Sequence, residues 1–261
     1  MSEHGGALGA CADGAGEARV IRRPLVVKIG SSTLTTADNR IDRAYLRQVA
    51  DQIARVREAG WSPIIVTSAA IACGLEALGM DRRPGDMPSL QAAASVGQSA
   101  LSAAYAEAFA PHGVVTSLVL LTRRDTADRT AYLHARDTFD KLLDFGVVPI
   151  VNENDTISVS ELMFTDNDEL SGLIASMMDV QALIILSNID GIYNGSPADP
   201  ASEVIREIEH GKDLSSYIQT SKSSFGRGGM LTKTNIARKV ADEGITVIIA
   251  NGKRDNILTD I

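Results

Sequence analysis

The chain has 261 residues, is 44% hydrophobic, and carries 25 Lys+Arg against 33 Asp+Glu, a formal net charge of −8 with pI near 5.0. No basic block stands out and aromatics are only 4%, so the charge and the stacking surface that a nucleic-acid partner needs are both missing. No apolar run reaches the roughly 18 residues of a membrane span, and the length suits one large α/β domain or two lobes.

The opening "MSEHGGALGACADGAGEARV" lacks the basic start and apolar middle of a secretory leader, and Met1–Arg19 reads as a mobile tail. Cys11 and Cys73 read as free thiols in a reducing cytoplasm. "LVVKIG" (Leu25–Gly30) is a short apolar run that predicts a buried strand. In "IDRAYLRQVADQIARVREAG", Leu46, Val49, Ala50 and Ile53 recur at helical spacing, Asp42 can cap the start and Gly60 ends the helix. "SPIIVTS" is a second strand, "AAIACGLEALG" a helix closed by Gly79, and "SLQAAASVGQSALSAAYAEAF" a long Ala-rich helix. "GVVTSLVLL" predicts a strand, "RTAYLHARDTFDKLLDFG" a helix, and "VVPIVNEND" a strand running into a polar loop.

The rhythm continues through the helix "DNDELSGLIASMM", with Leu170, Leu173, Ile174 and Met177 on one face, and the strand "QALIILSN". A long excursion from Asn188 to Gly229 contains a short strand-like "EVIREI". "GGMLTKTNIARKVADEG" then predicts a helix and "ITVIIANG" a last strand. Alternating strands and helices imply a three-layer αβα sandwich around a mainly parallel sheet.

In such a sheet ligands bind beyond the carboxyl ends of the strands. Polar residues collect there: Lys28 with Gly30, Ser31 and Ser32; Thr67 and Ser68; Asn152, Glu153, Asn154 and Asp155; Ser187, Asn188, Asp190 and Gly191. Lys28 ends an apolar strand, where a lysine needs either a partner or a route to solvent; the residues leave open a snorkelling or ion-paired lysine and a charge facing an anionic ligand. Asp166–Asp168 open a helix, where acids cap, but "NEND" lies a dozen residues upstream on the same edge. Lys233 stands in the first turn of its helix, where a cation opposes the dipole by up to about 1 kcal/mol. The glycine run of "SSFGRGGMLTK" (Ser223–Lys233) does not fit the G-x-x-x-x-G-K-[ST] phosphate loop, and alone it reads equally as a bend or a phosphate cradle. Two lysines with an aspartate between them suit phosphoryl transfer, which is mostly positioning and charge stabilisation.

Several segments together resemble the glutamate 5-kinases of the amino acid kinase family: "VVKIGSS", "VTSAAIACG", "LQAAASVGQS", "RRDTADRTAYLHARDT", "VVPIVNEND", "DNDELSGLIA" and "GRGGMLTK", almost without gaps from Leu25 to Ile261. The resemblance implies a kinase domain over 20–261, with a glutamate-binding lobe at about 20–179 and an ATP-binding lobe at about 180–261. It implies that Lys28 and Lys233 contact the ATP phosphates, and that Asp168 organises them. Ser68, Asn152, Asp155 and Asn167 would hold the acid; Ser187, Asn188, Gly226, Arg227, Gly228, Gly229, Met230, Leu231, Thr232 and Lys233 would line the nucleotide. Mg²⁺ would come with ATP, and no protein metal ligands are assigned. The product would be γ-glutamyl phosphate, on the way to proline. The resemblance also implies a cytoplasmic dimer or tetramer, proline as a feedback inhibitor, and glutamate-5-semialdehyde dehydrogenase as a partner. No nucleic acid or membrane partner is expected.

The chain departs from the family pattern in four ways. Ala69 stands where Gly is usual, which adds a methyl beside the acid and opens the alternative of another acceptor such as aspartate or N-acetylglutamate. Ser187-Asn188 replaces Thr-Asp, which opens the alternative of a non-catalytic nucleotide or proline sensor. Arg227 replaces a small Thr and is read either as an extra phosphate contact or as a loop residue facing water. The chain stops at Ile261, before the C-terminal RNA-binding-like (PUA) domain that many members carry.

Overall fold

The computed structural model describes residues 22–158, 167–195, 199–208 and 230–261. The expected tail Met1–Arg19, Asp166 and the glycine run 226–229 lie outside them. Among the described residues six strands form one sheet: β1 Arg23–Ile29, β2 Trp61–Val66, β3 Thr116–Leu121, β4 Val148–Glu153, β5 Ala182–Ser187 and β6 Thr246–Asn251. Their order is β3-β4-β2-β1-β5-β6 and every pairing is parallel. The chain therefore leaves β1 toward one edge, then returns to β5 on its other side. That switch point lies at the carboxyl end of β1, where an open α/β sheet has its crevice.

The predicted helices form at α2 Arg43–Glu58, α3 Ala70–Ala77, α4 Met87–Phe109, α6 Arg129–Asp144, α7 Asn167–Met177 and α8 Met230–Ala241. Short turns α1 Ser31–Leu34, α5 Arg123–Ala127 and α9 Ile257–Asp260 were not foreseen. Gly30 precedes α1, which Ser31 and Ser32 begin, with the amides of Thr33 and Leu34 donating to the Gly30 carbonyl. "EVIREI" makes only an isolated antiparallel bridge, Val204 to Tyr193, rather than a strand. Caps behave as their chemistry dictates: Asp42 accepts from the Tyr45 amide, and Asp86 from the Ser89 amide with Pro88 in the first turn.

Alternation along β1 splits the core. Leu25, Val27 and Ile29 join one apolar cluster with α2, α3, α4 and α9; Val26 joins the other with α6, α7 and α8. Lys28 shares the face of Val26, so its side chain rises toward α7 and α8. On the opposite face α3 and α4 touch backbone to backbone. A Cβ on Gly97 would lie 1.7 Å from the Ala70 carbonyl oxygen, and one on Gly74 1.8 Å from that of Ala93. Only glycine permits that approach, which fixes the start of α3 against α4. Among the described residues no helix is long and apolar enough to cross a membrane.

Candidate active site

Beyond the carboxyl end of β1 three charges meet. Asp168, in the first turn of α7, is fully buried. Its Oδ1 lies 2.5 Å from Lys28 Nζ and its Oδ2 accepts from Lys233 Nζ at 2.7 Å. Lys28 and Lys233 are 2% and 9% exposed, so these are ion pairs held away from solvent rather than surface contacts. Burying an ammonium is costly without such a partner. Asp168 also offsets the unfavourable position of Lys233 at a helix start. Two ammoniums thus meet at one carboxylate. A Cβ on Gly30 would begin 3.5 Å from Lys28 Nζ, and its absence keeps the approach to that ammonium open.

Beside the charges lies a cluster of amides. Asn167 Nδ2 faces three acceptors: the Thr67 carbonyl at 2.5 Å, Asn152 Oδ1 at 2.8 Å and Ser68 Oγ at 2.9 Å. Asn152 Nδ2 in turn donates to Gln98 Oε1 at 3.2 Å. Thr67 is anchored through its hydroxyl to the buried Tyr105 hydroxyl, 2.8 Å away. Ala69, next to Ser68, sits at φ 76° and ψ 12°, left-handed backbone that costs an alanine about 1–2 kcal/mol. Its flank packs on the apolar cluster beneath α3. Asp155 follows β4 and makes no hydrogen bond among the described residues. Burial, and then the charge of Glu153, raise its carboxyl to about 7, with Arg83 opposing.

Of the sequence-predicted residues, Lys28, Asp168 and Lys233 meet through ion pairs, Ser68, Asn152 and Asn167 through hydrogen bonds, and the neighbours Asn167 and Asp168 join the two groups, whereas Asp155 shares their sheet edge at the end of β4 without a hydrogen bond to them. Ser187 ends β5 and its hydroxyl meets Asn188 Oδ1 at 3.4 Å; Asn188 itself is exposed. Met230, Leu231 and Thr232 open α8. Gly226, Arg227, Gly228 and Gly229 lie outside the described residues. Sequence reasoning named neither Gln98 nor Tyr105 as a site residue. The available signal was a glutamine on the buried stripe of α4, spaced with Ala94, Leu101 and Tyr105.

A model of the amino acid kinase family matches residues 23–251. The chain belongs to the amino acid kinase family. The curated glutamate 5-kinase of Bacteroides thetaiotaomicron is 60% identical over 237 residues, covering 91% of this chain and 66% of its own length. That of Chlorobaculum tepidum is 45% identical over 242 residues, 92% of this chain and 66% of its own length. The chain therefore spans just under two thirds of the curated relatives it matches. Among solved structures, the UMP kinase of Ureaplasma parvum superposes with a TM-score of 0.62 at 16% identity, over 92% of this chain and 94% of that one. An isopentenyl phosphate kinase gives 0.59 at 16% identity, over 91% and 94%. At that identity the likeness speaks for the fold.

Proposed function

We propose that the chain transfers the γ-phosphoryl group of MgATP to the γ-carboxylate of L-glutamate, giving γ-glutamyl phosphate, the first step toward proline. The observation that carries the reading is Asp168 bridging Lys28 and Lys233 beside the Ser68, Asn152 and Asn167 cluster. The kinship to proteins named glutamate 5-kinase supports glutamate as the acceptor. A carboxylate oxygen attacks the γ-phosphorus, the bond to the β–γ bridging oxygen breaks, and ADP leaves with that electron pair. The attacking carboxylate is already ionised, so no general base is required. Lys28 and Lys233 stabilise charge on the phosphoryl oxygens in transit, and Asp168 holds both at a fixed spacing.

Ser68, Asn152, Asp155 and Asn167 grip the acid, within the lobe of about 20–179. Ser187, Asn188 and 226–233 line the nucleotide, within the lobe of about 180–261. Magnesium enters on the nucleotide's phosphates as part of the substrate. We extend the same reading to a cytoplasmic dimer or tetramer, inhibited by proline, that hands its labile acyl phosphate to a reductase, glutamate-5-semialdehyde dehydrogenase.

A coupled ADP-release assay with glutamate, aspartate, N-acetylglutamate and carbamate tests the reaction. Glutamate is expected to give the highest kcat/KM. Folded protein without glutamate-dependent turnover would sink the reading, and tight ATP binding with no turnover on any acid would make the chain a sensor. Proline titrated into the same assay, and light scattering of the eluted protein, test the inhibitor and the assembly.

A further inference from the structure

We propose that Gln98, on the buried face of α4, is a positioning residue that sets which way Asn152 and Asn167 face, and thereby how the acceptor acid is held; this rests on the reaction proposed above. Gln98 is 4% exposed and Asn152 1%. Gln98 Nε2 donates to the Glu153 carbonyl at 3.0 Å, Asn152 Nδ2 donates to Gln98 Oε1 at 3.2 Å, and Asn167 Nδ2 donates to Asn152 Oδ1 at 2.8 Å. At the far end Asn167 Nδ2 also meets the Thr67 carbonyl.

The relay of three amides thus runs between two backbone carbonyls, and a carbonyl can only accept. Reversing any one amide would set oxygen against oxygen or nitrogen against nitrogen in a dry site, where an unmatched polar group is costly. The polarity of all three is therefore fixed from both ends. With Nδ2 of Asn167 committed, Oδ1 is the atom it offers, and no described residue donates to it. An acceptor at that place suits the α-ammonium of an amino acid. Gln98 is well suited to govern the relay because the adjacent Gly97 locks α4 against α3, which carries Ala69 and Ser68 at its start.

The test is a double-mutant cycle in the full chain, with Gln98→Met, which keeps length and removes both polar atoms. The KM for glutamate is expected to rise about ten-fold while the KM for ATP stays within about two-fold, as expected for the loss of buried hydrogen bonds on the acid side alone. Because Gln98 acts through Asn152, the pair Gln98→Met/Asn152→Ala is expected to be no worse than Asn152→Ala. An unchanged glutamate KM, an equal rise in both KM values, or multiplicative effects in the pair would overturn the proposal.

If Gln98→Met does not fold, Gln98→Glu keeps the size and the oxygen facing Asn152 but loses the amide donor. With an oxygen now set against the Glu153 carbonyl, it is expected to show at least as large a rise and the same non-additivity, and multiplicative effects there overturn the proposal equally. Exchange of the Asn152 side-chain amide protons, followed by NMR, needs no substrate. It should quicken about ten-fold or more on losing the Gln98 acceptor, and unchanged exchange overturns the relay. Wild-type turnover of glutamate is the control. Its absence refutes the reaction while exchange still decides the relay, and its presence with a wild-type KM in the variant refutes the relay alone.

Discussion

Replacing Asp155 by Asn should change how stability depends on pH. The Asp155 carboxyl titrates near 3.8 in an unperturbed setting and at about 7 in the fold, chiefly because burial disfavours its charged form. Between those values the unfolded chain has already released a proton that the folded chain still holds. Raising the pH therefore favours the unfolded state by about 1.4 kcal/mol per unit at this group, and the effect levels off above the folded value. Over roughly three units the contribution reaches on the order of 4 kcal/mol. Asparagine has the same shape and no charge to bury. Asp155→Asn should match the wild type near pH 3, below both values, and exceed it progressively up to about pH 8, by as much as about 4 kcal/mol, in urea unfolding followed by circular dichroism. A difference that stays constant over that range would refute the assigned shift. If Asp155 grips the acid as proposed, an ammonium beside its carboxylate would favour the charged form, and glutamate binding near neutral pH should release a proton. That release, read by calorimetry in buffers of different ionisation enthalpy, should vanish in the variant.

Two further outcomes test the charge cluster and the helix packing. Lys28→Ala and Lys233→Ala should each lower kcat by about 10²–10³ while changing glutamate affinity far less, because the lost interaction is strongest in the transition state; a near-normal kcat in either would remove that lysine from the phosphoryl path. Gly97→Ala should destabilise by about 3 kcal/mol or more in thermal or urea unfolding, since its methyl would meet the Ala70 carbonyl oxygen at 1.7 Å. Gly85→Ala, with nothing within 4 Å of the added atom, should stay within about 0.5 kcal/mol.

The candidate site was legible where chemistry and position disagreed. Lys28 at the end of an apolar strand, and Lys233 in the first turn of a helix, each needed a partner that local structure does not supply. The structure gives both the same one, Asp168. Asn152 and Ser68 were readable as polar residues at strand ends, Asn167 as part of the polar start of a helix, and all three, through the family resemblance, as expected holders of the acid. What sequence pattern misjudged were short pieces. The α1 turn has too few residues to show a helical period, and Val204 has β-branched character but only a bridge to pair with.

By itself the sequence determined the parallel αβα architecture, because hydrophobic period and turn residues are local properties of the chain. It also determined which edge of the sheet collects the polar groups, since each strand's direction fixes its carboxyl end. The tertiary structure alone decided the strand order that opens the crevice beside β1. It decided that one buried carboxylate serves two lysines 205 residues apart (Lys28 and Lys233). It also decided that Gln98, unremarkable in an Ala-rich helix, closes an amide relay between two carbonyls. Those facts depend on through-space contacts between residues far apart in the chain, and no local pattern encodes the polarity of a hydrogen-bond network that only packing assembles.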